Sequence, residues 1–184
     1  MPRPDACHHL KGKGVRHSLR AVSEALDSVR YTFVHRTDIR GYYEAIRTSP
    51  LISLINRYVP DSVCRDLITQ YARYSVEFGG EIHSPENGIP RGCALSPRIG
   101  AALLHPIDSD YRSLDPDEVF YVRYMDDFLL LTRTRWQLRR SSARLAEYLD
   151  AGSFERHPDK TQTGRYAEVS TGWVSGSGLS GPPC

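Results

Sequence analysis

The segment 121–131 reads YVRYMDDFLLL, and it constrains the fold more than any other stretch of the chain. Two adjacent carboxylates, Asp126 and Asp127, separate the runs EVFYVRYM and FLLLTRT, both of which read as buried strands. Two strands closed by a tight turn form a hairpin, whose turn residues project beyond the packed part. Asp126 and Asp127 are therefore expected to be solvent-accessible, while Tyr121, Tyr124, Leu129, Leu130 and Leu131 pack. Glycine or asparagine usually supplies the second position of such a turn, so an Asp-Asp pair is disfavoured as structure alone. Two readings stand at this point: a solvated polar turn, or a pair of like charges that a divalent cation relieves.

The remaining pattern gives the hairpin its setting. At 184 residues, 40% hydrophobic and 25% charged, the chain is long enough for one domain with a real core. In SLRAVSEALDSV, Leu19, Val22, Ala25, Leu26 and Val29 recur at helical spacing, with Ser18 placed to cap. YTFVHRTDI reads as a strand. YYEAIRTSPLISLINRYV and SVCRDLITQYARYSVEF read as helices separated by Pro60, and GGEIHSPENGIPRGCALSP as a long loop. A helix is expected to begin near Ser96 and Pro97 and run through RIGAALLHPIDSDY. The last clear helix is RWQLRRSSARLAEYLDAG, with Trp136, Leu138, Leu145 and Leu149 on its apolar face and Gly152 as its stop. The order helix, strand, helices, loop, helix, hairpin, helix defines an α+β fold with a central antiparallel sheet.

Several function classes are excluded or left unsupported. Cys7, Cys64, Cys93 and Cys184 are scattered, with no disulfide framework or zinc-ligand spacing. No apolar run reaches the roughly 18 residues that read as a transmembrane helix, and MPRPDACHHLKGKG lacks a signal-peptide core, so cytoplasmic location without membrane contact is the expectation. The net charge of +2 conceals basic clusters at Lys11, Lys13, Arg16 and Arg20 and at Arg133, Arg135, Arg139, Arg140 and Arg144. Basic groups around an acidic centre suit a phosphate-bearing partner that also needs metal; a solvated helix face accounts for them equally well.

A metal site for phosphoryl transfer needs carboxylates from at least two chain segments, because Mg²⁺ takes one or two carboxylates and completes its shell with water and phosphate oxygens. RTDIRGYY supplies the second segment, with Asp38 at the end of a strand. Strand-end aspartate, Gly/Pro loop and Asp-Asp hairpin then follow one another in the order by which template-directed polymerases build their catalytic domain.

Four motifs carry a resemblance. TDIRGYY resembles motif A of reverse transcriptases, GIPRGCALSP their motif B, YMDD their motif C and HPDKT their motif D, in the family's order and over roughly residues 11–165. The flavour is that of the bacterial, group II intron-like branch, with HLKGKG and the helix after it resembling a fingers segment. The resemblance implies a partial fingers segment over 1–30 and a palm over 31–165, a central antiparallel sheet with helices packed on one face and no thumb. It implies that Asp38, Asp126 and Asp127 are catalytic, that they hold two Mg²⁺ ions (Mn²⁺ as a substitute) with the Ile39 carbonyl, and that a primer 3′-hydroxyl attacks a dNTP. An RNA template with a DNA or RNA primer is the implied partner.

Tyr43 falls where the family places an aromatic that rejects a 2′-hydroxyl. Gly88, Pro90, Arg91, Gly92, Ser96 and Pro97 would face the template–nucleotide pair, glycines letting backbone approach bases. Lys160 matches the motif D lysine, a proton donor to pyrophosphate, and is also readable as a surface lysine. Lys11, Lys13 and Arg16 would hold the triphosphate; a basic N-terminal loop is the other account.

The chain departs from the family in two places. Arg91 stands where glutamine is common. The stretch 166–184, rich in Gly, Ser and Pro, is expected to be a flexible, frameshifted tail. Codons for 168–174 exist that in the shifted frame encode Gly-Phe-Asp-Trp-Leu-Gly, part of the segment that relatives carry there. A catalytically inactive, nucleic-acid-binding remnant is therefore the alternative to an active polymerase. An RNA-directed RNA polymerase is disfavoured by Met125, where that class has glycine.

Overall fold

A computed structural model describes residues 15–27 and 30–166. Lys11, Lys13 and the stretch 167–184 lie outside the described residues, as does the side chain of Arg16, so the triphosphate and tail expectations fall outside them too.

The elements in chain order are α1 (Val15–Asp27), β1 (Phe33–Asp38), α2 (Tyr42–Ala45), α3 (Thr48–Tyr58), α4 (Ser62–Ala72), β2 (Val76–Phe78), β3 (Glu81–His83), α5 (Ser96–Arg112), β4 (Val119–Tyr124), β5 (Asp127–Thr132), α6 (Arg135–Ala151) and β6 (Gln162–Arg165). A 3-10 turn, Pro158–Lys160, precedes β6. Four strands form one antiparallel sheet in the order β4-β5-β1-β6, which confirms the α+β reading.

Side-chain alternation along β5 divides the core. Phe128 and Leu130 point to one face, where they join Leu104, Ile107 and Tyr111 of α5 and Leu145 and Leu149 of α6. Leu131 points to the other face and meets Val34 of β1 and Ala25 of α1. The helices α5 and α6 thus form the main layer, and α1 adds a smaller cover on the opposite face. α6 is set by a capping box: the Gln137 amide donates to Thr134 Oγ1 at 3.2 Å and the Thr134 amide to Gln137 Oε1 at 3.0 Å.

Five local expectations change. α1 begins at Val15, so Ser18 lies within the helix and is not its cap. The helix expected from Tyr42 onward is two helices, because Ile46 is extended (φ −62, ψ 117) and its carbonyl accepts a hydrogen bond from the Gly88 amide at 2.7 Å. The end of the next expected helix and the start of the expected loop pair as the β2–β3 hairpin, turned by Gly79 and Gly80 at φ 66 and 87. Trp136 is 64% exposed, with the Arg140 guanidinium 5.4 Å from its ring centroid, so it stands outside the apolar face. Finally, β6 fills a sheet edge from QTGR, a sequence with no apolar alternation to announce it.

His35 is buried in β1 and shares a 2.6 Å hydrogen bond with Thr163 of β6. Burial, then the Arg156 charge, lowers its pKa from 6.5 to about 4. Above pH 6.5 the ring is neutral in both folded and unfolded chains. Below that, the unfolded chain takes up a proton that the folded chain refuses, so stability falls with pH until about pH 4. Urea unfolding at pH 7 and pH 5 should show the wild-type chain losing about 2 kcal/mol more than His35→Gln between the two conditions. Equal losses would contradict this assignment.

Candidate active site

Asp38 is the last residue of β1, and the antiparallel register sets it directly opposite Asp127, the first residue of β5. Cross-strand partners share a face, so the two carboxylates are held near each other by the sheet itself. Arg36, two residues earlier in β1, lies on that face as well. Its Nη2 donates to Asp127 Oδ2 at 2.5 Å and its Nε to Oδ1 at 3.1 Å, a bidentate pair. Asp127 is thereby neutralised within the sheet.

The hairpin turn is Met125–Asp126, since Tyr124 already pairs with Asp127. This corrects the expectation that the two aspartates occupy the turn: Asp127 belongs to the ladder, and Asp126 alone projects from the loop end. Met125 takes φ 55, a left-handed conformation rare outside glycine and asparagine, which turns the chain without a glycine. The Asp126 carbonyl accepts a hydrogen bond from the Ile39 amide at 3.2 Å, stitching the turn to the end of β1. Asp126 is half-buried, less open than the hairpin pattern suggests. Burial, then the neighbouring Asp38 charge, raises its pKa to about 6, with Asp127 adding to the shift and Lys160 opposing it.

Lys160 reaches the same place from the turn before β6. Its Nζ donates to Asp38 Oδ2 at 2.5 Å, and this hydrogen bond is the main cause of its raised pKa. The Asp38 carbonyl also accepts from the His157 amide at 2.8 Å, which fixes the lysine-bearing turn to the strand end. The geometry thus brings Asp38, Asp126, Asp127, Ile39 and Lys160 together from three separate segments.

The Gly/Pro loop is fastened beside them. The Ile89 amide donates to the Tyr43 carbonyl at 2.9 Å, and Gly88, at φ 95, lies so close to α2 that a Cβ would stand 3.3 Å from backbone atoms of Tyr43 and Glu44. Gly88 is buried, and the close approach it permits here is to the protein's own helix α2. Ser96 is also buried. Its hydroxyl donates to the Pro90 carbonyl at 2.5 Å and meets the Tyr71 hydroxyl at 2.5 Å, bracing the loop from inside. Pro97 occupies the first turn of α5, where a missing N–H costs nothing. Arg91 and Gly92 are exposed on the loop, and Arg91 reaches Glu44 at 3.3 Å.

Tyr43 borders the carboxylates. Burial, then the Asp126 charge, raises its hydroxyl pKa. Its ring rests beside Tyr42, 5.4 Å between centroids, and both lie on Gly100 of α5, where a Cβ would meet Tyr42 Cε1 at 2.8 Å. Gly100 is thus a position that the sequence reading missed.

Among the described residues, no three His, Cys, Asp or Glu side chains converge as a ready cation cage. The reason is visible in the ion pairs: Arg36 holds Asp127, and the Lys160 ammonium stands against Asp38 in the way a cation would. Asp38 and Asp126, neighbouring carboxylates of which Asp126 is pushed toward protonation by burial and then by Asp38, are a donor set that fits Mg²⁺.

A strand-end aspartate against a hairpin aspartate pair, on an antiparallel sheet backed by helices, is the arrangement that the four sequence motifs lead one to expect. The chain matches the family model described as "Reverse transcriptase (RNA-dependent DNA polymerase)" over residues 4–171, and it belongs to that family. Among solved structures it is similar to telomerase from Candida albicans in complex with the TWJ fragment of telomeric RNA (TM-score 0.66, 15% identity, 83% of this chain and 32% of that one). It is also similar to apo telomerase from Candida tropicalis (TM-score 0.62, 11% identity, 81% and 33%). At these identities the likeness is one of fold, and the chain spans about a third of the telomerase chains. No curated protein matches it. No helix among the described residues is long and apolar enough to cross a membrane.

Gly88→Ala combines a left-handed backbone with a crowded Cβ. Denaturant unfolding should show a loss of about 2 kcal/mol. A neutral effect would mean that the loop is not held against α2 as described.

Proposed function

We propose that this chain carries the RNA-directed DNA polymerase site of a reverse transcriptase of the bacterial, group II intron-like branch. The observation that carries the reading is the convergence of Asp38, at the end of β1, and Asp126, in the β4–β5 turn, with Asp127 fixed beside them by Arg36. Asp38, Asp126 and the Ile39 carbonyl would hold two Mg²⁺ ions, or Mn²⁺ in their place. When bound, these supply activation of the primer 3′-hydroxyl and neutralisation of the departing pyrophosphate.

The chain's own residues do the rest. Arg36 keeps Asp127 from turning into the site and limits the like charge there. Lys160 stays protonated at neutral pH, since its bond to Asp38 raises its pKa, and on release from Asp38 it is placed to donate a proton to pyrophosphate. Tyr43, backed by Tyr42 on Gly100, would by its place in the motif exclude a ribose 2′-hydroxyl, which favours dNTPs. The exposed Arg91 and Gly92, with Pro90 behind them, offer the loop surface for the template–nucleotide pair. An RNA template with a DNA or RNA primer is the partner that this arrangement suits.

A second reading, a nucleic-acid-binding remnant without catalysis, is favoured by the ion pairs themselves: Arg36 and Lys160 are paired with two of the three carboxylates.

Primer extension on an RNA template, with dNTPs and Mg²⁺ or Mn²⁺, separates the two. The polymerase reading predicts template-dependent extension that Asp126→Ala abolishes, by about 1,000-fold or more, as expected when a metal-held electrostatic contribution is removed. RNA binding with no extension by the wild-type chain would favour the remnant. Tyr43→Ala should admit rNTPs; unchanged discrimination would remove Tyr43 from its role.

A further inference from the structure

Beneath the Met125–Asp126 turn lies a charged group that the polymerase reading does not use. Arg123 of β4 and Asp108 of α5 are both fully buried, with side-chain exposures of 0%. Arg123 Nε donates to Asp108 Oδ1 at 2.8 Å, and its Nη2 donates to Oδ2 of the same carboxylate. The remaining nitrogen, Nη1, donates to the Met125 carbonyl at 2.6 Å. Tyr121 donates its hydroxyl to Asp108 Oδ1 at 2.7 Å, and its ring stacks on Tyr111 of α5 at 4.6 Å between centroids. Tyr111 in turn donates to the Ser141 carbonyl of α6.

The Met125 carbonyl belongs to the peptide that joins Met125 to Asp126, so its direction fixes how Asp126 leaves the turn. Met125 is also the residue held at φ 55, a conformation that persists only where its surroundings over-determine it. A buried ion pair is a weak source of stability, since well-packed apolar residues of similar volume usually serve as well. What an apolar pair cannot supply is a rigid donor aimed at that carbonyl from a position fixed by α5. We infer that Arg123, oriented by Asp108 and Tyr121, is a positioning residue that sets the Asp126 carboxylate for cation binding. The inference rests on the reading of Asp126 as a cation ligand.

Two variants test it. Arg123→Lys keeps a charge for Asp108 but loses the fork that reaches Asp108 and Met125 together. The double variant Arg123→Met with Asp108→Leu removes both charges and leaves neither buried alone. Thermal melting establishes folding, electron paramagnetic resonance titration gives the Mn²⁺ affinity of the protein without nucleic acid, and primer extension gives kcat and KM for dNTP. In the folded variants Mn²⁺ affinity should fall about 10-fold, as when a ligand-orienting partner is lost, and kcat should fall while KM for dNTP changes little. Wild-type Mn²⁺ affinity and kcat in either folded variant would overturn the inference.

Asp126→Asn separates this failure from that of the parent reading. If it abolishes Mn²⁺ binding while the Arg123 variants bind normally, only the positioning role is lost. If it leaves Mn²⁺ binding intact, Asp126 is no ligand and both fall.

Discussion

The antiparallel register of β1 and β5 forces a concentration of negative charge that the rest of the molecule answers. Pairing Val34 with Leu131 and Thr37 with Phe128 commits Asp38 to lie opposite Asp127, and the hairpin then adds Asp126 beside them. Slipping the register by one residue would send Phe128 and Leu130 to the α1 face and Leu131 to the α5–α6 face, so the two packed faces of β5 hold the carboxylates together against their repulsion. The surrounding cations follow from this. Arg36 takes Asp127, Lys160 takes Asp38, and Asp126 is left with a pKa raised by burial and by the Asp38 charge, a cost that a metal ion would relieve.

The same logic explains why the supporting layer is so specific. α5 serves the site twice: Gly100 seats Tyr42 and Tyr43, and Asp108, two turns on, holds Arg123 under the turn. α2 is short because the chain must open at Ile46 to receive the Gly88 amide, which places the Gly/Pro loop beside Tyr43. Sheet, loop and Tyr43 are therefore fixed to one another by backbone hydrogen bonds and buried contacts, which is what a preorganised electrostatic site requires.

How much of this was legible in the sequence depends on range. The hairpin, Asp38 at a strand end, α5 starting at Ser96 and α6 with its Gly152 stop are local patterns, and they stand as read. The Met125–Asp126 turn was misplaced by one residue because a tight turn without glycine gives no signal; only the Arg36–Asp127 pair and the register reveal that Asp127 belongs to the strand. The β2–β3 hairpin was hidden in what looked like helix and loop, although Gly79-Gly80 was a turn signal in plain sight. β6 could not be read at all, since an edge strand is stabilised by its neighbour's backbone and needs no apolar pattern. Arg123 and Asp108 were invisible for a related reason: residues fifteen apart reveal a buried ion pair only once α5 and β4 are packed.

The most direct measurement of the central claim is the anomalous signal of Mn²⁺ in a crystal of the wild-type chain. The account predicts an ion coordinated by both Asp38 and Asp126, with oxygen distances of about 2.0–2.2 Å, the Lys160 ammonium withdrawn from Asp38 and Asp127 still paired with Arg36. An Asp38–Lys160 pair that stays closed, with no ion between the two carboxylates at saturating Mn²⁺, would contradict it.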